Sequence, residues 1–142
     1  TSTMILQNLL DLAAFMEKSG MPKNLWIRTP VIPDRTANPV NIRAIGTFIR
    51  EKLSAAVGRW ELCAFNRLCI PKYEGLGIDW PCKNLEPVSE EEMEKLASVA
   101  RKVIERHDIV FTSGPTRKEE TESERHRLSV ISGGRDVKSG RQ

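Results

Sequence analysis

Apolar residues recur at helical spacing near the start of the chain: Ile5, Leu6, Leu9, Leu12, Ala13 and Met16 form one stripe. The pattern predicts a first helix capped by Thr3 and closed by Gly20. The period then shortens. Leu25 to Ile32 reads Leu-Trp-Ile-Arg-Thr-Pro-Val-Ile, nearly all apolar or β-forming, as a parallel strand buried on both faces does. Pro30 argues against a central position, because it has no N–H for the ladder. Pro33, Asp34 and Arg35 form a turn, and Asn38 followed by Pro39 pairs a capping side chain with a proline suited to the first helical position. Ile42, Ile45, Phe48, Ile49 and Leu53 then carry a second helical period. Arg59 to Asn66 is the next strand, where Trp60, Leu62 and Ala64 alternate with Glu61, Cys63 and Phe65. After a long loop, Ser89 and Glu92 have capping-box spacing, and the acids Glu90 to Glu92 complement the dipole of the helix they open. Met93, Leu96, Ala97, Ala100, Val103 and Ile104 form its stripe. Ile109 to Phe111 is a short last strand.

Strands that alternate with helices imply βαβ units and a parallel sheet. Three strands are few for such a sheet, and its open edges would leave backbone groups unpaired. The pattern therefore describes a piece of a larger α/β unit. From Ser113 onward only Leu128, Val130, Ile131 and Val137 are apolar. Such a stretch buries too little surface to offset its ordering entropy. The expected division is residues 1–112 as the folded part and 113–142 as a mobile polar tail, with short pairing open to Leu128–Ile131. There is no internal repeat.

Composition narrows the class. Apolar residues make up 39% of the chain, enough for a core, but Asn8, Asp11 and Glu17 break the longest run well short of the roughly 20 residues that span a bilayer. The 22 basic and 19 acidic residues leave a net charge of +3, too little to point to nucleic acid. No signal-peptide pattern opens the chain, and the expectation is a cytoplasmic protein whose start lies upstream. Cys63, Cys69 and Cys82 are odd in number and match no zinc or cluster spacing.

Two segments resemble a known family. The first is Leu25-Trp26-Ile27-Arg28-Thr29-Pro30-Val31-Ile32-Pro33, followed by Asn41-Ile42 and a helix. The second is Trp60-Glu61-Leu62-Cys63-Ala64-Phe65-Asn66, then Lys72-Tyr73-Glu74-Gly75-Leu76-Gly77. In this order and at this distance they resemble late strands and loops of the activating enzymes of glycyl-radical enzymes, the pyruvate formate-lyase activating enzyme group of the radical S-adenosylmethionine superfamily. Cys63 and Ala64 replace the leucine and proline of the family's second strand. The resemblance covers about Ile5 to Phe111. It implies the C-terminal part of a partial (β/α)6 parallel barrel. It also implies a 4Fe–4S cluster on a C-x-x-x-C-x-x-C motif, with S-adenosylmethionine chelated to the cluster. Cleavage to a 5′-deoxyadenosyl radical then installs a glycyl radical on a partner enzyme, with flavodoxin or ferredoxin as electron donor. The cysteine triplet and the glycine-rich segment of that site are absent from these 142 residues. The other reading is a non-catalytic interaction module, or a degenerate paralogue that completes or binds a partner. A half-barrel from an unrelated phosphate-binding enzyme lacks its glycine-rich loop here.

Residues at the carboxyl ends of barrel strands meet ligands. Arg28 lies inside an apolar strand, sharing a face with Trp26, Pro30 and Ile32, and a buried guanidinium requires a carboxylate or phosphate partner. The resemblance matches Arg28 to an arginine that holds S-adenosylmethionine; a salt bridge between strands is the structural alternative. Asn66 ends the second strand and can donate to the cofactor's ribose or adenosine, or satisfy a turn backbone instead. It stands where relatives carry histidine or asparagine, and it cannot take part in proton transfer. Lys72 and Tyr73 lie in a loop that the resemblance places at the barrel mouth, towards the partner enzyme. The cysteines are either a thiol site or packing, and His107 and His126 have no partners at metal-ligand spacing.

Overall fold

The computed structural model describes residues 2–117, with helix α1 at Ser2–Ser19, strand β1 at Leu25–Val31, helix α2 at Pro39–Lys52 and strand β2 at Val57–Ala64. Helix α3 at Ile70–Gly75, helix α4 at Glu90–Ile104, a single 3-10 turn at His107–Ile109 and strand β3 at Val110–Ser113 complete it. The strands pair in parallel in the order β1–β2–β3, each beside its predecessor. α2 follows β1, α4 precedes β3, and the two helices pack on each other and on the same face of the sheet. This is single winding; a doubly wound sheet carries helices on both faces.

The core lies between that face and the two helices. Trp60, on the central strand, is fully buried, and its indole Nε1 donates to Thr29 Oγ1 of β1 at 3.0 Å. Val31, Leu62 and Ala64 extend the buried face along the sheet, and Ile42, Ile49, Met93, Leu96, Ala97 and Ala100 meet it from the helices. α2 comes this close because Gly46 has no side chain: a Cβ there would lie 2.2 Å from Val103 Cγ1 and 3.1 Å from the Trp60 ring. Arg50 of α2 reaches across and donates to the Val103 carbonyl in the last turn of α4 at 2.9 Å.

The ends of the helices follow the side chains that cap them. Asn38 Oδ1 accepts from Asn41 N at 2.8 Å, with Pro39 opening α2. Ser89 and Glu92 complete a reciprocal capping box: Ser89 N donates to Glu92 Oε2 at 2.8 Å, and Glu92 N donates to Ser89 Oγ at 3.2 Å. The hydrogen bond from the Ser89 backbone holds the Glu92 carboxyl below its usual range against partial desolvation, helped by the Ser89 hydroxyl, Arg117 and Lys95. Gly20, at φ +72°, ends α1 and donates to Met16 O.

Several expectations are corrected. Thr3 lies within α1, whose first turn tolerates a hydroxyl residue because its N–H groups have no intrahelical acceptors. Only the later part of the α1 stripe reaches the core: Ile5 and Leu6 are exposed, while Leu10 and Ala13 pack against it and Met16 is buried. β1 is not buried on both faces, since α2 and α4 cover only one; Trp26, Arg28 and Pro30 are exposed. β1 is an edge of the described sheet, where Pro30 is tolerated. Ser113 belongs to β3, and Arg117 bridges to Ser89. Leu128–Ile131 and His126 lie outside the described residues.

Gly46→Ala is expected to lower stability by about 1 kcal/mol, the middle of the net range. Overpacking against Val103 and Trp60 costs about 1–3 kcal/mol, and the better helix propensity of alanine returns roughly 1. The urea midpoint reads this at unchanged slope. Glu92 sets a second expectation. Its folded-state pKa is depressed, so its contribution is present above the unfolded value of about 4.3 and is lost as pH falls through the folded value. Glu92→Gln, which keeps an acceptor but cannot titrate, is expected to show a shallower loss of stability on acidification, measured as midpoint against pH.

Candidate functional site

The alternation that buries Trp60, Leu62 and Ala64 beneath the helices turns Arg59, Glu61 and Cys63 to the opposite face. Register places Trp26 beside Arg59, Arg28 beside Glu61 and Pro30 beside Cys63, with Phe111 and Ser113 of β3 flanking Glu61 and Cys63. A sheet face free of its own helices thus carries three charged residues in two adjacent strands.

Their geometry is specific. Arg28 Nε lies 2.8 Å from Glu61 Oε2, and Arg59 Nη2 lies 3.3 Å from Glu61 Oε1, so each carboxylate oxygen holds a different guanidinium. Arg59 is itself clamped: its guanidinium carbon stands 3.9 Å from the centre of the Phe111 ring and 5.1 Å from that of Trp26. Its Nε is buried without a hydrogen-bond partner, so the rings and Glu61 hold the group. The Glu61 side chain is 10% exposed and that of Arg28 is 65% exposed. Partial desolvation pushes the Glu61 carboxyl up, but hydrogen bonds from Arg59 and Ser113 and the charges of Arg28 and Arg59 outweigh it and leave the pKa below the usual range. Arg28 is raised above its ordinary value, first by Cys63 and then by Glu61. Glu61 is therefore ionised between two permanent cations, and the cluster keeps one net positive charge.

The expected site residues fall in different places. Arg28 is on the open face, ion-paired between strands and exposed at the same time. Asn66 stands two residues beyond β2, and its Oδ1 accepts from Leu68 N at 3.1 Å, so the turn backbone occupies the oxygen and any donation falls to Nδ2. Arg28 sits across from Glu61 within the sheet, whereas Asn66 lies beyond the carboxyl end of β2. Lys72 and Tyr73 lie on α3 where a loop was expected; the helix is six residues long, too short to display an apolar period. Lys72 is exposed, whereas Tyr73 stacks on Trp80 (5.7 Å between ring centres) and Trp80 on Phe65 (5.6 Å), which ties α3 to the end of β2.

Cys63, Cys69 and Cys82 are free thiols, and His107 is exposed. Among the described residues no group of three or more His, Cys, Asp or Glu side chains is placed to hold a metal ion. An iron–sulfur cluster therefore does not fit the described residues. The net positive charge beside Arg28 does fit a ligand that carries a carboxylate. No helix among the described residues is long and apolar enough to cross a membrane. Arg59 and Glu61 were not singled out from sequence. Alternation alone put them opposite Trp60, but their pairing depends on strand register, which alternation does not encode.

Fold and face together define an α/β unit whose sheet presents a charged surface opposite its helices. No protein-family model matches the chain. It is 37% identical over 82 residues to the (2S)-3-sulfopropanediol dehydratase activating enzyme of Klebsiella oxytoca, covering 58% of this chain and 24% of that protein. It is 30% identical over 95 residues to the pyruvate formate-lyase-activating enzyme of Clostridium pasteurianum, covering 67% and 38%. It is 30% identical over 88 residues to the indoleacetate decarboxylase activating enzyme of Tractidigestivibacter scatoligenes, covering 62% and 26%. The chain belongs to the glycyl-radical-enzyme activating enzymes. The matches span between about a quarter and two fifths of the length of these relatives.

Proposed function

We propose that this chain is the C-terminal part of the barrel of a cytoplasmic radical S-adenosylmethionine enzyme that installs a glycyl radical on a partner enzyme. The observation that carries this reading is the Arg28–Glu61–Arg59 cluster on the open face of a singly wound parallel sheet. In a closed barrel that face is the interior, and the helix-covered face is the outside. Kinship with three activating enzymes supports the same assignment.

On this reading a 4Fe–4S cluster held by residues outside this chain would, once reduced by a flavodoxin- or ferredoxin-type donor, supply the electron that splits S-adenosylmethionine into methionine and the 5′-deoxyadenosyl radical. The residues of this chain bind and orient. Arg28 offers its guanidinium to the carboxylate end of the ligand, in the forked geometry that arginine favours. Asn66, at the carboxyl end of β2, donates through Nδ2 to the nucleoside end. Lys72, exposed on α3, faces the glycyl-radical enzyme, and Tyr73 supports that helix through Trp80.

Two outcomes test the reading. In the full-length protein, Arg28→Ala is expected to weaken S-adenosylmethionine binding and lower its cleavage; unchanged affinity and unchanged cleavage at saturation remove Arg28 from the site. The isolated 142-residue chain is expected to bind S-adenosylmethionine weakly or not at all, because the anchoring iron is supplied elsewhere. Calorimetric titration that returns micromolar affinity contradicts this.

A further inference from the structure

The Arg28 side chain is long and two-thirds exposed, and an exposed arginine samples many rotamers. A ligand that had to collect it from that ensemble would bear the ordering cost itself. Three contacts in the structure remove that freedom beforehand. Glu61 takes Arg28 through Nε, the nitrogen nearest the stem, so the ion pair fixes the direction of the side chain and leaves the terminal Nη groups out of that pair, while Cys63 adds a side-chain contact to the guanidinium. The second oxygen of Glu61 is held by Arg59. Arg59 in turn is fixed between the rings of Phe111 and Trp26, which belong to the strands on either side. All three strands therefore contribute to orienting one guanidinium. Without Arg59, a carboxylate as enclosed as that of Glu61 would offset its desolvation only through Arg28 and the Ser113 hydrogen bond.

We propose that Glu61 is a positioning residue, locked by the clamped Arg59, which presents the Nη end of Arg28 on the open face to the carboxylate of the ligand. This rests on the assignment of Arg28 to the ligand site made above. Glu61 touches no ligand itself. Its effect passes through Arg28, and that dependence separates it from a residue that merely stabilises the sheet.

A double-mutant cycle in the full-length protein tests it, with S-adenosylmethionine affinity measured by equilibrium binding and the thermal midpoint measured alongside. Glu61→Gln keeps the shape of the side chain and removes its charge. It is expected to weaken binding about tenfold, to raise KM, and to leave kcat at saturation unchanged. In the Arg28→Ala background the same change is expected to weaken binding no further. Arg59→Lys keeps the charge but loses the planar clamp, and it is expected to weaken binding by a smaller factor; it also serves as the second arm should Glu61→Gln fail to fold. If Arg28→Ala weakens binding while Glu61→Gln and Arg59→Lys do not, the positioning role is wrong and the ligand assignment of Arg28 survives. Equal losses from Glu61→Gln with and without Arg28 also overturn the positioning role, because the effect then bypasses Arg28. If the wild-type protein binds no S-adenosylmethionine, both fall together.

Discussion

The packing of Trp60 against α2 and α4 is the constraint on which the remaining structure depends. A fully buried indole on the central strand needs a partner for its N–H, and Thr29 of β1 supplies it across the sheet. It also needs two helices close enough to cover it, which Gly46 allows by leaving α2 no side chain at the point of closest approach. With both helices committed to that face, the strands lie side by side in chain order and the other face is not covered by α2 or α4. The one-sided core and the open charged face are the same fact seen from two sides.

What the open face carries then follows from alternation and register. In a strand, every residue beside a core position points away from the core, so burying Trp60 and Leu62 forces Arg59, Glu61 and Cys63 outward. Parallel pairing brings Arg28 beside Glu61 and Phe111 to its other flank. A slip of one residue in β1 would turn Arg28 into the core and dissolve the cluster. The cluster stores no large stability, because its outer member is mostly exposed and screened by solvent. Its value is order. Two arginines share one carboxylate, and one of the two is immobilised by aromatic rings.

The chain spans less than two fifths of the relatives it matches, and several apolar side chains lie uncovered on its surface. Met4, Ile5, Leu6 and Phe15 of α1 and Trp26 of β1 are apolar and exposed, and β1 and β3 are open sheet edges in the described residues. Exposed apolar side chains and open strand edges of this kind are surfaces that partner elements cover.

Sequence by itself determined the elements with strong local signals: the Asn38–Pro39 start of α2, the capping box that opens α4, the buried alternation of β2 and the order of a parallel α/β unit. Each of these rests on side chains within a few residues of one another, so a linear reading captures it. The same reading placed Thr3 outside the first helix, took Ile70–Gly75 for loop and buried both faces of β1. Propensity marks what a segment prefers, whereas the number of helices that cover it decides which face is dry. Arg28 was conspicuous from its sequence neighbours, but its partner was not, because Glu61 is 33 residues away and only strand register brings the two together. Tertiary structure alone decided that the charged residues of two strands would share one face, since non-local pairing carries no signature in the local period of the chain.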